Sequence, residues 1–304
     1  AEATNTAGVT SFDSSGLLAI GTDAFLNESG TNMVIWNWKA GGGPTATNDN
    51  TSGAMDSNSV FVDGSALSFT PDSNATIYPK KISANRTAGF SITLYTGDDA
   101  SSAKVPHGLT QAPEMVIIKN LGEAITGPAW PIFHHQAIAS PATNYLDFFT
   151  TAANNDGAET VWNDVLPSAT LVTLGTADSV NSGSDHIMYC FHSVKGYSRM
   201  GSYIGNNVAS GPFIYLGFRP AWIMFKRADA TEHWHILDTK RDPFNGVDNE
   251  LWASLANEES SGTERVDFLS NGFKLRGNNA GYNTNHTYIY MAFAEAPFKY
   301  SNAR

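Results

Sequence analysis

The side chains best suited to chemistry are two histidines in one short segment. His233 and His235 flank Trp234, and alternate residues of a β-strand share one face, so the two imidazoles could form part of a metal site. No third ligand stands nearby unless Glu232 or Asp238 turns inward. We therefore predict two ordinary surface histidines, no metal ion and no cofactor.

The single cysteine raises a second possibility. Cys190 lies two residues before His192, a spacing that could place a thiolate and an imidazole on one strand face. Similar segments elsewhere in the chain carry asparagine, lysine or alanine at these two positions. We therefore predict a buried, inert thiol. A lone cysteine also cannot form an intrachain disulfide, which fits assembly in a reducing cytoplasm.

Carboxylates offer a third chemistry, because hydrolysis of a glycosidic bond needs two acidic side chains that folding brings together. The candidates are Glu232, Asp238, Asp98 and Asp99, and their spacing singles out no pair. The sequence contains no nucleophile elbow, phosphate-binding loop, zinc-protease helix or calcium loop. We predict that the protein is not an enzyme, and keep a polysaccharide-degrading enzyme as an alternative.

Aromatic side chains suggest binding rather than catalysis, because their flat apolar faces can stack on sugar rings. Most of the seven tryptophans lie within strand patterns, where packing in the core is the expected role. Trp162 and Trp252 lie outside the clearest patterns. We predict that these two are exposed and bind a ligand.

Composition narrows the classes of partner. Charged residues make up only 15% of the chain, below the share of about 25% that is typical of globular domains. The net charge of −11 repels nucleic acid, and no run of apolar residues is long enough for membrane insertion. The chain begins without methionine or a signal-peptide pattern, which suggests a fragment or a processed product.

Internal similarity is the most informative feature of the sequence. Three segments combine a short strand, a glycine, a polar loop and a longer aromatic strand. In all three segments, the number of residues between the glycine and the aromatic residue of the longer strand is nearly the same. The three pairs are Gly21 and Trp38, Gly175 and Phe191, and Gly277 and Phe293. A second pattern occurs twice, over Tyr95–Lys119 and Tyr203–Lys226.

These repeats predict a division of the chain into four parts. Two complete copies of the unit follow the second half of an earlier copy and a connector rich in Gly, Ser and Asn. In the connector we expect one small hairpin that uses Ser59–Val62 and Ala75–Tyr78. The predicted boundaries are 1–40 for the half copy, 41–88 for the connector, 89–195 for copy 1 and 196–304 for copy 2.

Hydrophobic periodicity predicts strands. Bulky side chains alternate in Met33–Lys39, Ile187–His192 and Tyr288–Ala294, which indicates strands with one apolar face. Met115–Ile118 and Trp222–Phe225 are continuously apolar, as expected for central strands covered on both faces.

Only one segment, Asn249–Glu258, is a helix candidate, and its position matches a strand-like segment of copy 1. The predicted fold is all-β, as tandem repeats of an antiparallel β-sandwich of concanavalin or jelly-roll type.

Several motifs, taken in order, resemble a family of repeated domains of unassigned function in virion proteins of marine tailed phages. That family often follows concanavalin-A-like lectin domains in long, fibre-like chains. The resemblance covers nearly the whole chain and rests on Trp36–Gly42, Ala75–Lys81, Asn85–Ile92, Pro106–Leu109, Tyr189–His192, Gly217–Ala221 and Tyr288–Ala294.

The resemblance implies a structural component of a tailed-phage virion, assembled in the host cytoplasm. As a tail fibre or receptor-binding protein it would bind a host-surface glycan or neighbouring virion proteins, as a homo-oligomer. A capsid decoration or cement protein without a ligand is the alternative. The resemblance assigns no catalytic residue to this chain.

Overall fold

The computed structural model describes residues 7–12, 18–122, 125, 129–137, 141–148, 155–157 and 159–294, and nearly every regular element in them is a β-strand. The first eleven strands are β1 Val9–Phe12, β2 Leu18–Ile20, β3 Val60–Val62, β4 Ser65–Ala66, β5 Lys81–Asn85, β6 Phe90–Thr96, β7 Ala103–Pro106, β8 Met115–Asn120, β9 Pro131–His134, β10 Asn144–Asp147 and β11 Asn155–Asp156.

The remaining ten strands are β12 Leu171–Leu174, β13 Asp185–Phe191, β14 Ser198–Ile204, β15 Ser210–Tyr215, β16 Pro220–Arg227, β17 His235–Asp238, β18 Leu251–Trp252, β19 Val266–Leu269, β20 Gly272–Arg276 and β21 Thr287–Ala294. Helical structure in the described residues is limited to single turns, namely α1 Ala24–Asn27, α2 Asp178–Asn181 and a 3₁₀ turn at Pro141–Thr143. None of these helices has the length and apolar character needed to cross a membrane.

Two similar pairs of sheets form the body of the molecule. The first pair consists of a nine-stranded sheet, in the order β11-β10-β9-β8-β13-β6-β5-β3-β4, and the two-stranded sheet β12-β7. The second pair consists of a five-stranded sheet, β14-β21-β16-β17-β18, and a three-stranded sheet, β15-β20-β19. Five neighbouring strands of the two large sheets correspond one to one. The order in the first unit is β10-β9-β8-β13-β6, and the equivalent order in the second unit is β18-β17-β16-β21-β14.

Three apolar clusters hold these sheets in four layers. One cluster fills the space between the nine-stranded sheet and the β12-β7 pair, and another fills the space between the five-stranded and three-stranded sheets. The third joins the outer faces of the two large sheets, so each large sheet is covered on both sides. The predicted all-β, sandwich-like fold is confirmed, while the four predicted boundaries stay predictions.

The alternation of side chains explains this layering. In β21, Ile289, Met291 and Phe293 lie in the cluster between the two units, while Tyr288 and Tyr290 lie in the cluster inside the second unit. The continuously apolar strands β8 and β16 likewise divide their side chains between two clusters. These strands are buried on both faces, as the sequence predicts.

The prediction of a strand at Met33–Lys39 is wrong. The segment forms no ladder with any described strand. The predicted alternation is nevertheless present, since Trp36 and Trp38 are half-buried while Met33 and Ile35 are exposed. Trp38 packs edge-on against Trp222, with 5.2 Å between ring centroids, so side-chain packing rather than backbone pairing holds the segment in place.

The hairpin expected between residues 41 and 88 uses one of the two predicted segments, Ser59–Val62, but a different second strand. Val60–Val62 pairs with Ser65–Ala66, whereas Ala75–Tyr78 is not a strand. Asp63 and Gly64 both have positive φ angles, of 50° and 91°, as a two-residue hairpin turn requires. The Asp-Gly pair was the sequence signal for this turn. Because β3 also pairs with β5, this segment extends the sheet of the first unit.

The helix candidate Asn249–Glu258 contains the short strand Leu251–Trp252 and no helix. The strand pairs with β17 at the margin of the five-stranded sheet. Its position places Trp252 beside the segment that carries the two histidines.

Candidate functional site

A polar pocket of about 310 Å³ opens at the β17–β18 margin of the five-stranded sheet. Residues from four separate stretches of the chain meet there because β17 pairs with β18 and Glu250 forms a bridge with Ser260. The pocket is lined by Glu232, His233, His235, Glu250, Trp252, Leu255, Asn257, Arg265, Asn279 and Tyr282.

A buried ionic network forms one wall of the pocket. Glu250 forms a very short hydrogen bond with Nδ1 of His235 through one carboxylate oxygen, and accepts a 3.2 Å bond from Nε of Arg265 through the other. Burial alone would raise the pKa of the Glu250 carboxyl, but the hydrogen bond and charge of His235, together with Arg265, outweigh it. The pKa therefore lies below the ordinary value, and Glu250 is an anion at neutral pH.

The imidazole of His235 forms part of the pocket wall. His235 is only 5% exposed, and its Nε2 atom is buried with no hydrogen-bond partner among the residues that the structure describes. The ring is held by stacking on Phe225, with centroids 5.2 Å apart, and by the bond to Glu250. Because an unpaired buried polar atom is costly, a hydroxyl that reached this nitrogen would be bound favourably.

Aromatic rings form the opposite side of the pocket. Trp252 is half-buried, and its ring meets that of His235 edge-on at 6.5 Å. The guanidinium of Arg265 lies 5.8 Å from the ring centre of Tyr282. The pocket thus combines flat apolar surface with donors and acceptors fixed by burial, the combination found in small-molecule binding sites.

The structure corrects the prediction of two surface histidines. His235 is buried and bonded to Glu250, while His233 is half-buried and lies 3.1 Å from the hydroxyl of Ser254. Sequence periodicity placed both on one face but could not show that Glu250, fifteen residues further on, pairs with one of them. Across the described residues, no three His, Cys, Asp or Glu side chains are grouped so as to hold a metal ion.

The two tryptophans predicted to bind a ligand have different environments. Trp252 lines the pocket, as described above. Trp162 is only 1% exposed and packs edge-on against Phe133 in the core of the first unit, so the prediction of its exposure is wrong. The polar residues that follow it suggested a surface loop, but Asn163 and Asp164 adopt positive φ angles and turn the chain just after Trp162 enters the core.

The remaining candidates are separated in space. Cys190 is fully buried, and burial raises the pKa of its thiol, so it is held as a neutral, inert group. Of the four candidate carboxylates, Glu232 lines the pocket, whereas Asp238 is paired with Arg241 at 2.7 Å. Asp98 and Asp99 lie in the first unit, beyond β6, and do not line this pocket.

A second cavity lies between the two units. It measures about 410 Å³ and is lined almost entirely by apolar atoms, among them the rings of Trp36, Trp38, Trp130 and Trp222. It lies in the apolar cluster that joins the units and offers few hydrogen-bonding groups. The pocket beside Trp252 therefore has richer chemistry than this apolar cavity.

Comparison with known proteins gives one match. Residues 64–297 match the profile of a family described as a domain of unknown function, DUF7483. The chain belongs to this family. The DUF7483 match includes both pairs of sheets except strand β3, and every residue that lines the polar pocket. No curated protein and no solved structure matches the chain.

Proposed function

We propose that this DUF7483 chain is a non-catalytic binding protein that recognises a glycan in the polar pocket beside Trp252. The observation that carries the proposal is the combination, in one pocket, of a half-buried indole and a buried histidine nitrogen without a partner. The indole face offers apolar surface to the CH groups of a sugar ring. Asn257 and Asn279 offer hydrogen bonds to its hydroxyls, and a hydroxyl that reached the buried Nε2 of His235 would supply the donor that this atom lacks.

The charges of the pocket favour binding without turnover. Both carboxylate oxygens of Glu250 are engaged, by His235 and by Arg265, so this group is committed to holding the pocket together. Its pKa is lowered, which is opposite to the shift that a general acid needs.

Truncation of Trp252 is the direct test of the pocket. We expect the purified wild-type protein to bind a subset of sugars on a glycan array. Trp252→Ala should weaken that binding about tenfold or more, because the stacking surface is lost. Trp252→Phe should retain part of the affinity, and Leu166→Ala, an exposed residue of the first unit, should retain all of it. Equal binding by Trp252→Ala and wild type would exclude this pocket.

A polysaccharide-degrading enzyme is the second candidate, because Glu232 and Glu250 line one pocket. The two functions differ in turnover. We expect no new reducing ends when wild-type protein is incubated with the glycan that it binds. Release of reducing ends that is lost in Glu232→Gln would establish the enzyme instead.

We propose further that the protein is a component of a tailed-phage particle, either a tail fibre, a receptor-binding protein or a capsid decoration. The ordered motifs that resemble phage virion repeats support this role, as does the repeated β architecture. Display of many copies would convert weak single contacts with a host glycan into tight attachment.

The particle assignment is tested separately from glycan binding. Mass spectrometry of purified particles should detect the chain in stoichiometric amounts, and labelled antibodies should mark one position on the particle. A free monomer that is absent from purified particles would contradict the assignment. Particles that become fragile without the chain, with no glycan bound, would instead indicate a cement protein.

A further inference from the structure

One margin of the second unit carries two long strands at the ends of their sheets. β14 ends the five-stranded sheet and β15 ends the three-stranded sheet, with seven and six residues respectively. No other terminal strand in the described part of the chain is longer than four residues. Natural proteins keep exposed terminal strands short or charged, because the unpaired backbone groups attract other strands.

The large exposed side chains of this margin are apolar, apart from Arg199 near the start of β14. Ile204 is 70% exposed and Tyr215 is 59% exposed, and Val208 and Phe213 are exposed as well. Residues 200–218 contain no charged side chain at all. In a chain with a net charge of −11, a margin whose two strands carry no acidic side chain repels a second copy less than an acidic surface would.

The corresponding margin of the first unit shows how such a surface is covered. There β6, the counterpart of β14, is paired with β5 from Phe90 to Leu94, and the backbone N–H of Lys80 donates to the carbonyl of Leu94 at 2.7 Å. On β7, the carbonyl of Lys104 accepts bonds from the N–H groups of Thr76 and Ile77. The segment that supplies these contacts precedes the first unit and has no counterpart before the second.

Among the residues that the structure describes, contacts occupy the β14 margin up to Ser202, whose hydroxyl donates to Oε1 of Gln136 at 3.1 Å. The backbone N–H of Met200 donates to the hydroxyl of Ser193 at 3.0 Å, and its carbonyl accepts a bond from Nε2 of His135 at 3.1 Å. These bonds show that the backbone N–H and C=O groups of Met200 point away from β21. In an antiparallel strand every second residue points its backbone groups to the same side. Ser202 and Ile204 therefore direct their backbone groups outward, at the exposed end of the strand.

We propose that the margin formed by β14 and β15 binds a second copy of this chain, with β14 pairing antiparallel to β14 of the other copy. In a second copy, residues 76–85 are already paired with that copy's own first unit, so they cannot cover the β14–β15 margin of this chain. The surface that remains to pair with this margin is the same β14–β15 margin of the second copy. Antiparallel pairing of identical strands gives a two-fold axis, the commonest symmetry of homo-oligomers. The two five-stranded sheets would then form one continuous sheet.

Variants of the margin test the pairing. We expect wild-type protein to be a dimer in native mass spectrometry and sedimentation velocity. Ile204→Lys should raise the dissociation constant of the dimer about tenfold or more. Ser202→Pro should act in the same direction, because it removes an outward N–H group that β21 does not use. Phe244→Lys changes a side chain that is 81% exposed outside this margin and should leave the dimer intact.

Hydrogen exchange provides the second readout. The amides of Ser202 and Ile204 should exchange more slowly as the protein concentration rises through the dissociation constant. Unchanged thermal unfolding of Ile204→Lys would show that the variant is folded. A monomeric wild type, or a dimer that both margin variants leave intact, would overturn the proposal. It would also be overturned if the margin is protected from hydrogen exchange only in particles, by a different protein. Glycan binding by Ile204→Lys should equal that of wild type, so this proposal and the glycan proposal fail separately.

Discussion

Lowering the pH from about 7 to about 4.5 is expected to reduce the free energy of unfolding by about 2 to 3 kcal/mol for each of two buried histidines. Burial lowers the pKa of His107 to about 4 and that of His134 to about 3, from an ordinary value of 6.5. At pH values between these folded-state pKa values and about 6.5, both histidines are protonated in the unfolded chain but neutral in the folded chain. Lowering the pH through this range therefore favours unfolding.

The same hydrogen-bond arrangement keeps both rings neutral. In His107, Nδ1 accepts the backbone N–H of Leu109 at 3.2 Å, and Nε2 lies 3.3 Å from the carbonyl of Ser168. In His134, Nδ1 accepts the N–H of Gln136 at 3.2 Å. A proton on Nδ1 would face another N–H group, so protonation breaks a bond as well as burying a charge.

Urea unfolding followed by tryptophan fluorescence at several pH values measures this effect. His107→Asn keeps an acceptor near the N–H of Leu109 but cannot be protonated in this range. It should therefore halve the dependence of stability on pH. Stability that stays constant between the two pH values, or an unchanged slope in the variant, would contradict the assignment of these histidines.

Replacement of Trp234 by alanine is expected to cost about 3 to 5 kcal/mol and to uncouple the two units. Trp234 is 1% exposed in the cluster between the units, and its indole N–H donates to the carbonyl of Asp147 in the first unit at 2.9 Å. Its ring also stacks with Phe148, with centroids 5.6 Å apart. The side chain therefore connects the second unit to the first by both packing and a hydrogen bond.

Denaturant unfolding should show this loss as two transitions in place of one. Trp234→Phe is the matched variant, because it keeps an aromatic ring in the cluster while it removes the N–H donor and part of the indole, at a cost of about 1 to 2 kcal/mol. The opposite result would be a single unfolding transition in Trp234→Ala, with a smaller loss of unfolding free energy than in Trp234→Phe. It would show that the contact between the units does not depend on this residue.

Much of the fold follows from local sequence patterns. Alternation in β21 and continuous apolar character in β8 and β16 predict which side chains face which layer, because a strand directs successive side chains to opposite faces. The pattern at Met33–Lys39 predicts the buried face correctly, with Trp36 and Trp38 inward, but not the missing strand. Backbone pairing depends on the neighbouring chain, which local periodicity does not report.

The site was predictable only in part. Trp252 and the histidine segment are visible in the sequence, and both lie in the pocket. Glu250 and Arg265 carry no local signal, because sheet pairing alone brings them to His235. Trp162 shows the opposite error, since a polar neighbourhood in sequence conceals a side chain that fills the core of the first unit.

A crystal structure of the protein with the glycan that binds most tightly on the array would show whether the pocket beside Trp252 is the binding site. We expect a sugar ring lying on the face of Trp252, with a hydroxyl within hydrogen-bonding distance of Nε2 of His235. A glycan bound at any other surface, with this pocket holding only water, would contradict it.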